Sequence, residues 1–149
     1  MAYESDYKIR FLPDPDWIDF GICHTAEVYV EYHILIYPDG TIKVGRPLHL
    51  RGAHCSANGM NGRAIGVCCV GNYQEDDPTE EMLKALEFVL FELCDMFNMV
   101  PYTCIQSHQT IEQRSGRKNP TLCPGKNLIH RLEEVKDKVG YHIAERWYL

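Results

Sequence analysis

The spacing of apolar positions divides the chain into strand-like and helix-like stretches. Residues YKIRFL (7–12) read as a short strand, broken by PDPD at 13–16. IDFGICH (18–24) reads as a second strand ending at His24. In EYHILIYPDGTIKVGR (31–46) two β-rich runs flank Pro38-Asp39-Gly40. Proline sets φ there and glycine takes a left-handed position, so a hairpin is predicted. AIGVCCVG (64–71) is continuously apolar and small, the pattern of a central strand buried on both faces.

The period then lengthens. Leu83, Leu86, Leu90, Leu93 and Phe97 fall three or four apart, which predicts one face of a helix. Asp77 as N-cap, Pro78 in the first turn and Glu80 three residues after the cap form its start signal. YTCIQSH (102–108) reads as a strand ending at His108, followed by a polar loop. Leu128, Leu132, Val135 and Val139 mark a second amphipathic helix that should stop near Gly140. The expected architecture is α/β, a single domain over 1–149 with a central mixed β-sheet flanked by helices.

Composition narrows the function classes. The 149 residues suffice for one well-buried core, and 45% hydrophobic with 24% charged content is ordinary for a soluble globular chain. A net charge of −6 argues against a general nucleic-acid partner, which needs a basic face. No apolar run approaches a membrane span, and MAYESDYKIR has no signal-peptide apolar region. Seven cysteines are an odd number, and Cys68 and Cys69 are adjacent. Reduced thiols and cytoplasmic synthesis without a signal peptide are expected.

His24 and His108 each close a predicted strand, and Cys123 lies in the loop after the second. Two imidazoles and one thiolate would leave a tetrahedral Zn²⁺ with an open fourth position, where water is acidified. Spacing alone is weak support: the three are 84 and 15 residues apart, and no CxxC or HExxH accompanies them.

The blocks ICHTA, EYHILIYPDGTIKVGRP, GAHCSANGMNGRAIGVCCVGNY, IQSH and TLCPGKNL, taken together over residues 18 to 132, are more specific. In order and texture they resemble the zinc-dependent N-acetylmuramoyl-L-alanine amidases, the family that includes phage lysozyme-type amidases and peptidoglycan recognition proteins. The resemblance implies zinc bound by His24, His108 and Cys123. It implies catalytic roles for Tyr32 and Thr121, which would donate hydrogen bonds to the oxyanion of the transition state. It implies peptidoglycan or muropeptides as substrate, cleaved between N-acetylmuramic acid and L-alanine on the wall after release or export. The sequence leaves the oligomeric state open, a monomer being one option. The rival reading is a peptidoglycan or peptide binder, or a regulatory protein, on the same fold without hydrolysis.

One departure stands out. Family members place a helix between the first ligand and the YH block, whereas only TAEVYVE separates His24 from Tyr32. The first crossover helix is therefore expected to be missing. A parallel neighbour needs a dozen or more residues, so a tight reversal is predicted. The cleft should be more open, or completed by a partner subunit. Glu31 should point to the opposite strand face from Tyr32.

The remaining candidates carry open alternatives. His54 reads as substrate contact or structural hydrogen bonding. Asn58 and Asn61 would bond a stem peptide or cap a turn. Arg114, Arg117 or Lys118 in the basic EQRSGRK stretch could meet stem carboxylates, Arg117 foremost, or belong to a solvated loop. His33 reads as a core or supporting histidine. Cys68, Cys69 and Cys94 read as core, and Cys55 as packing near the site. Trp17 and Trp147 should pack against the domain.

Overall fold

The six residues of AIGVCC decide how the molecule is layered. They form a strand whose six residues are all buried. Ile65, Val67 and Cys69 face one side and Ala64, Gly66 and Cys68 the other. The computed structural model describes residues 19–23, 32–48, 51–53, 55–59, 61 and 64–148. YKIRFL, Trp17, His24, Glu31 and His54 lie outside them.

Among the described residues five strands form one sheet: β1 (Asp19–Cys23), β2 (Ile34–Ile36), β3 (Ile42–Val44), β4 (Ala64–Cys69) and β5 (Ile105–Ser107). Their order is β3-β2-β4-β1-β5. The sheet is mixed, as expected: β2 and β3 are antiparallel, while β4 pairs in parallel with β1 and β2, and β1 with β5. The hairpin turn is the predicted one, with Gly40 at φ 87°. Asp39 Oδ1 accepts the Thr41 N–H at 2.9 Å.

The expected tight reversal after β1 is overturned. β1 and β2 run in the same direction, with β4 between them. The register explains how a short link suffices. Ile22 and Ile34 both pair with Val67, so β2 begins level with the end of β1. The end of β1 and the start of β2 are thus two strand spacings apart, roughly 10 Å, with no strand length between them.

Among the described residues the α-helices are α1 (Glu80–Phe97), α2 (Pro101–Cys104), α3 (His108–Arg114) and α4 (Lys126–Tyr148). The stripe Leu83, Leu86, Leu90 and Leu93 of α1 and the stripe Leu128, Leu132, Val135, Val139 and Ile143 of α4 are buried. Both join Ile34, Ile36, Ile65, Val67, Cys69 and Ile105 in one core on one face of the sheet. Each fully buried aliphatic side chain contributes about 1.5–3 kcal/mol. Trp147 packs against this core and donates Nε1–H to Asp95 Oδ1 at 2.9 Å. Among the described residues no helix is long and apolar enough to cross a membrane.

Four local expectations are corrected. The N-cap of α1 is Thr79, not Asp77: its Oγ1 accepts the Met82 N–H at 3.0 Å. The same hydroxyl donates to the Pro38 carbonyl, so contact with the hairpin selects this residue. Residues 101–104 form a helical turn opened by Pro101, leaving only Ile105–Ser107 as strand. The polar stretch after β5 begins with a helix, α3, capped by Ser107 Oγ on the Thr110 N–H. Finally, α4 runs through Gly140. A Cβ there would lie 3.0 Å from Tyr102 Cε2, so this glycine makes room for a ring and does not end the helix.

Candidate functional site

The sheet face opposite α1 and α4 gathers candidate residues from the sequence. Leu35 and Cys68 project there and cluster with Tyr32 and Cys123. Ala64 clusters with Cys55, Ala57 and Ile111. The strands that His24 and His108 follow end level with each other, since Ile22 pairs with Ser107. The carboxyl end of parallel strands is where ligands gather in such sheets.

His108 opens α3, and the first N–H groups of a helix need partners from outside it. Ser107 Oγ takes that of Thr110, and the Cys123 carbonyl takes that of Gln109 at 2.9 Å. This second bond draws the loop containing Cys123 onto the helix start. Beyond it, Gly125 adopts φ 102°, and a Cβ there would come within 2.3 Å of the Tyr73 backbone. The Lys126 N–H reaches Gln74 Oε1 and the Asn127 N–H reaches the Tyr73 carbonyl, each at 3.0 Å. The Cys-Pro-Gly turn is therefore pinned at both ends.

The His108 ring is hydrogen-bonded to the thiols of Cys123 and Cys55. Burial alone would lower its pKa, but these bonds outweigh it and hold the imidazole up at about 10. His108 Nε2 lies 2.8 Å from Glu112 Oε2, one helical turn along. Glu112 is only 7% exposed. Its Oε1 accepts the Thr121 N–H at 2.8 Å, and Arg117 Nη1 lies 3.4 Å from its Oε2. Thr121 Oγ1 in turn accepts the Cys123 N–H at 3.1 Å.

Of the nine residues singled out in the sequence, His108, Cys123, Thr121 and Arg117 are thus joined in one network. Tyr32, 3% exposed, shares the apolar cluster of Cys123. Asn61 holds the loop before β4, its Oδ1 accepting the Cys55 N–H at 2.7 Å. Asn58 lies in a 3₁₀ turn, Ala57–Gly59. Arg117 Nη2 donates to Ser56 Oγ at 2.8 Å, tying that loop to the one after α3. His24 and His54 lie outside the described residues. Among the described residues, no three His, Cys, Asp or Glu side chains form a group that could hold a metal.

His33 is a core histidine: fully buried, with Nδ1 accepting the Gly66 N–H at 3.0 Å. Cys68, Cys69 and Cys94 are buried as expected, and burial pushes the Cys69 thiol up to about 12. Sequence reasoning missed Glu112 and the contact of Cys55 with His108. The signal for Glu112 is its i, i+4 spacing from His108, legible only once the stretch is known to be helical.

Comparison with known proteins places this geometry. Residues 10–126 match the family described as N-acetylmuramoyl-L-alanine amidase. The chain is 30% identical over 117 residues to an endolysin of Enterobacteria phage K11, covering 75% of this chain and 63% of that protein. It is 32% identical over 107 residues to a peptidoglycan-recognition protein of Drosophila melanogaster, covering 72% and 52%. The chain therefore spans less than two thirds of the length of these curated relatives. Among solved structures, N-acetylmuramoyl-L-alanine amidase LysC from Clostridium intestinale URNW matches with a TM-score of 0.68. Identity is 26%, over 83% of this chain and 87% of that one. A Drosophila PGRP-LB mutant in complex with tracheal cytotoxin shares the fold, with a TM-score of 0.63 and 19% identity over 78% and 80%. The family match covers most of the chain and includes Tyr32, His108, Thr121 and Cys123, so the chain belongs to the N-acetylmuramoyl-L-alanine amidase family.

Proposed function

We propose that this protein is a zinc-dependent amidase that hydrolyses the bond between N-acetylmuramic acid and L-alanine in peptidoglycan. The observation that carries the reading is the meeting of His108 and Cys123, fifteen residues apart, at the carboxyl end of the sheet. An imidazole beside a thiol is a donor pair suited to zinc, and His24 is the third donor. Zinc held by these residues would supply Lewis acidity, polarising a carbonyl and acidifying water.

The chain's own residues do the rest. The Cys123 carbonyl and amide are both held by hydrogen bonds, so the thiol is presented in one orientation. Tyr32 has a phenolic O–H to donate to the oxyanion that develops in the transition state. The Thr121 hydroxyl accepts from Cys123 and retains its own proton for donation. Arg117, with 43% of its side chain exposed, offers positive charge to stem-peptide carboxylates beside its bonds to Ser56 and Glu112. His54, Asn58 and Asn61, all in the segment before β4, are the further candidates for substrate contact.

The experiment is digestion of purified peptidoglycan by the zinc-reconstituted protein, with products read by mass spectrometry. Stem peptides bearing a free L-alanine amine are expected, and a chelator should stop their release. Binding to peptidoglycan without such products would support a non-hydrolysing binder on this fold instead.

A further inference from the structure

We propose that Cys94 and Cys104 form a covalent modification site, a pair of thiols that a small-molecule disulfide such as oxidised glutathione converts to an intramolecular disulfide. Both are free thiols, and both are buried. Their sulfurs lie 3.7 Å apart. A disulfide bond is about 2.05 Å long, so closure needs an approach of about 1.6 Å shared between two side chains.

The backbone sets the pair. Cys94 lies in the last turn of α1, and its carbonyl accepts the Met99 N–H at 2.9 Å. Cys104 ends α2, and its N–H is donated to the Val100 carbonyl at 3.0 Å. These bonds turn the chain back on itself, so residues ten apart meet sulfur to sulfur. The other thiols are placed differently. Cys68 and Cys69 are neighbours on β4 and face opposite sides of the sheet, whereas Cys55 and Cys123 each bond the His108 ring. Cys94 and Cys104 belong to the core between the sheet and the long helices, apart from the cluster of Cys123.

The exchange balances without a metal. One cysteine, as thiolate, attacks a sulfur of glutathione disulfide and releases one glutathione thiol. The second attacks the protein sulfur of that mixed disulfide and releases the other. Two cysteine sulfurs are oxidised, one glutathione disulfide is reduced, and the two thiol protons end on the two glutathione thiols. The hydrogen bond with Cys104 and burial both push the Cys94 thiol up, so the folded core holds little of the attacking form. The bond therefore closes during folding or local opening, and it then tethers α1 to the turn that leads into β5.

The reduced full chain would be refolded from urea in glutathione buffer, with and without the oxidised form. Cyanogen bromide cuts after Met96 and Met99, between the two cysteines, and trypsin at Arg114 parts Cys104 from Cys123. Peptides 85–96 and 100–114 then stay joined only through a disulfide, read by mass spectrometry before and after reduction. We expect the joined pair in the oxidised sample, and a thermal midpoint roughly 5–10 °C above that of the reduced protein. Cys104→Ala should lose the joined pair. Separate peptides from the oxidised wild type, or Cys94 joined to another cysteine, overturn the proposal and leave a thiol packing contact. The wild-type map decides even if the variant fails to fold, and folded protein held in the same buffer gives the map if refolding fails. Zinc content plays no part in the readout, so failure here leaves the amidase reading standing.

Discussion

The carbonyl of Cys123 accepts the backbone N–H of Gln109 at 2.9 Å, next to His108. An unsatisfied donor at a helix start thus becomes the means of bringing an imidazole and a thiol together. Because that bond is backbone to backbone, it does not depend on the Cys123 side chain. Cys123→Ala should therefore keep the fold, costing about 1 kcal/mol as for the loss of one buried methyl-sized group. Zinc and amidase activity should disappear together. Metal analysis beside a denaturation curve checks both; full zinc occupancy in the variant would remove Cys123 from the site.

Tyr32→Phe should behave differently. The phenol ring packs with Leu35, Cys68 and Cys123, and phenylalanine preserves that packing. Zinc content should be unchanged, while kcat should fall by about 100-fold, the scale of losing one oxyanion donor. A variant that turns over muropeptides at the wild-type rate would exclude Tyr32 from the chemistry.

Zinc binding should release protons. In the metal-free protein, thiol hydrogen bonds keep the His108 pKa at about 10 against burial, so the ring is protonated at neutral pH. Metal must displace the ring proton, so affinity should fall as pH falls and rise as pH rises. Calorimetry near neutral pH in two buffers of different ionisation enthalpy should show proton release as zinc binds. Pure enthalpy with no buffer dependence would contradict a His108–Cys123 site.

Two glycines with positive φ give a structural test. Gly116 (φ 81°) has open space where a Cβ would be, whereas a Cβ on Gly125 (φ 102°) would run into the Tyr73 and Gln74 backbone. Gly116→Ala should cost about 1–2 kcal/mol, the left-handed penalty alone. Gly125→Ala adds a backbone clash and should cost more than about 3 kcal/mol, within the range of severe single substitutions. Equal unfolding midpoints would mean that the Cys-Pro-Gly turn is not packed against the 73–74 turn.

Patterns with a local period were legible in the sequence. The alternation in β2 and β3, the apolar run of β4 and the stripes of α1 and α4 follow from which side chains must leave water. The Pro38-Asp39-Gly40 turn and the blocks around His108 and Cys123 are likewise local, so layers, sheet class and candidate ligands could be read directly. What the tertiary structure decided depends on residues far apart in the chain. Thr79 is the cap of α1 because the Pro38 carbonyl binds its hydroxyl. β1 and β2 lie parallel across β4 because both Ile22 and Ile34 settle opposite Val67, an alignment no single segment encodes. The polar 108–114 stretch has too few apolar positions to reveal its helix, whose start is completed by Cys123 from the far end of the loop. Glu112 looked like one charge in a solvated run, and only burial against His108, Arg117 and Thr121 joins it to the candidate residues.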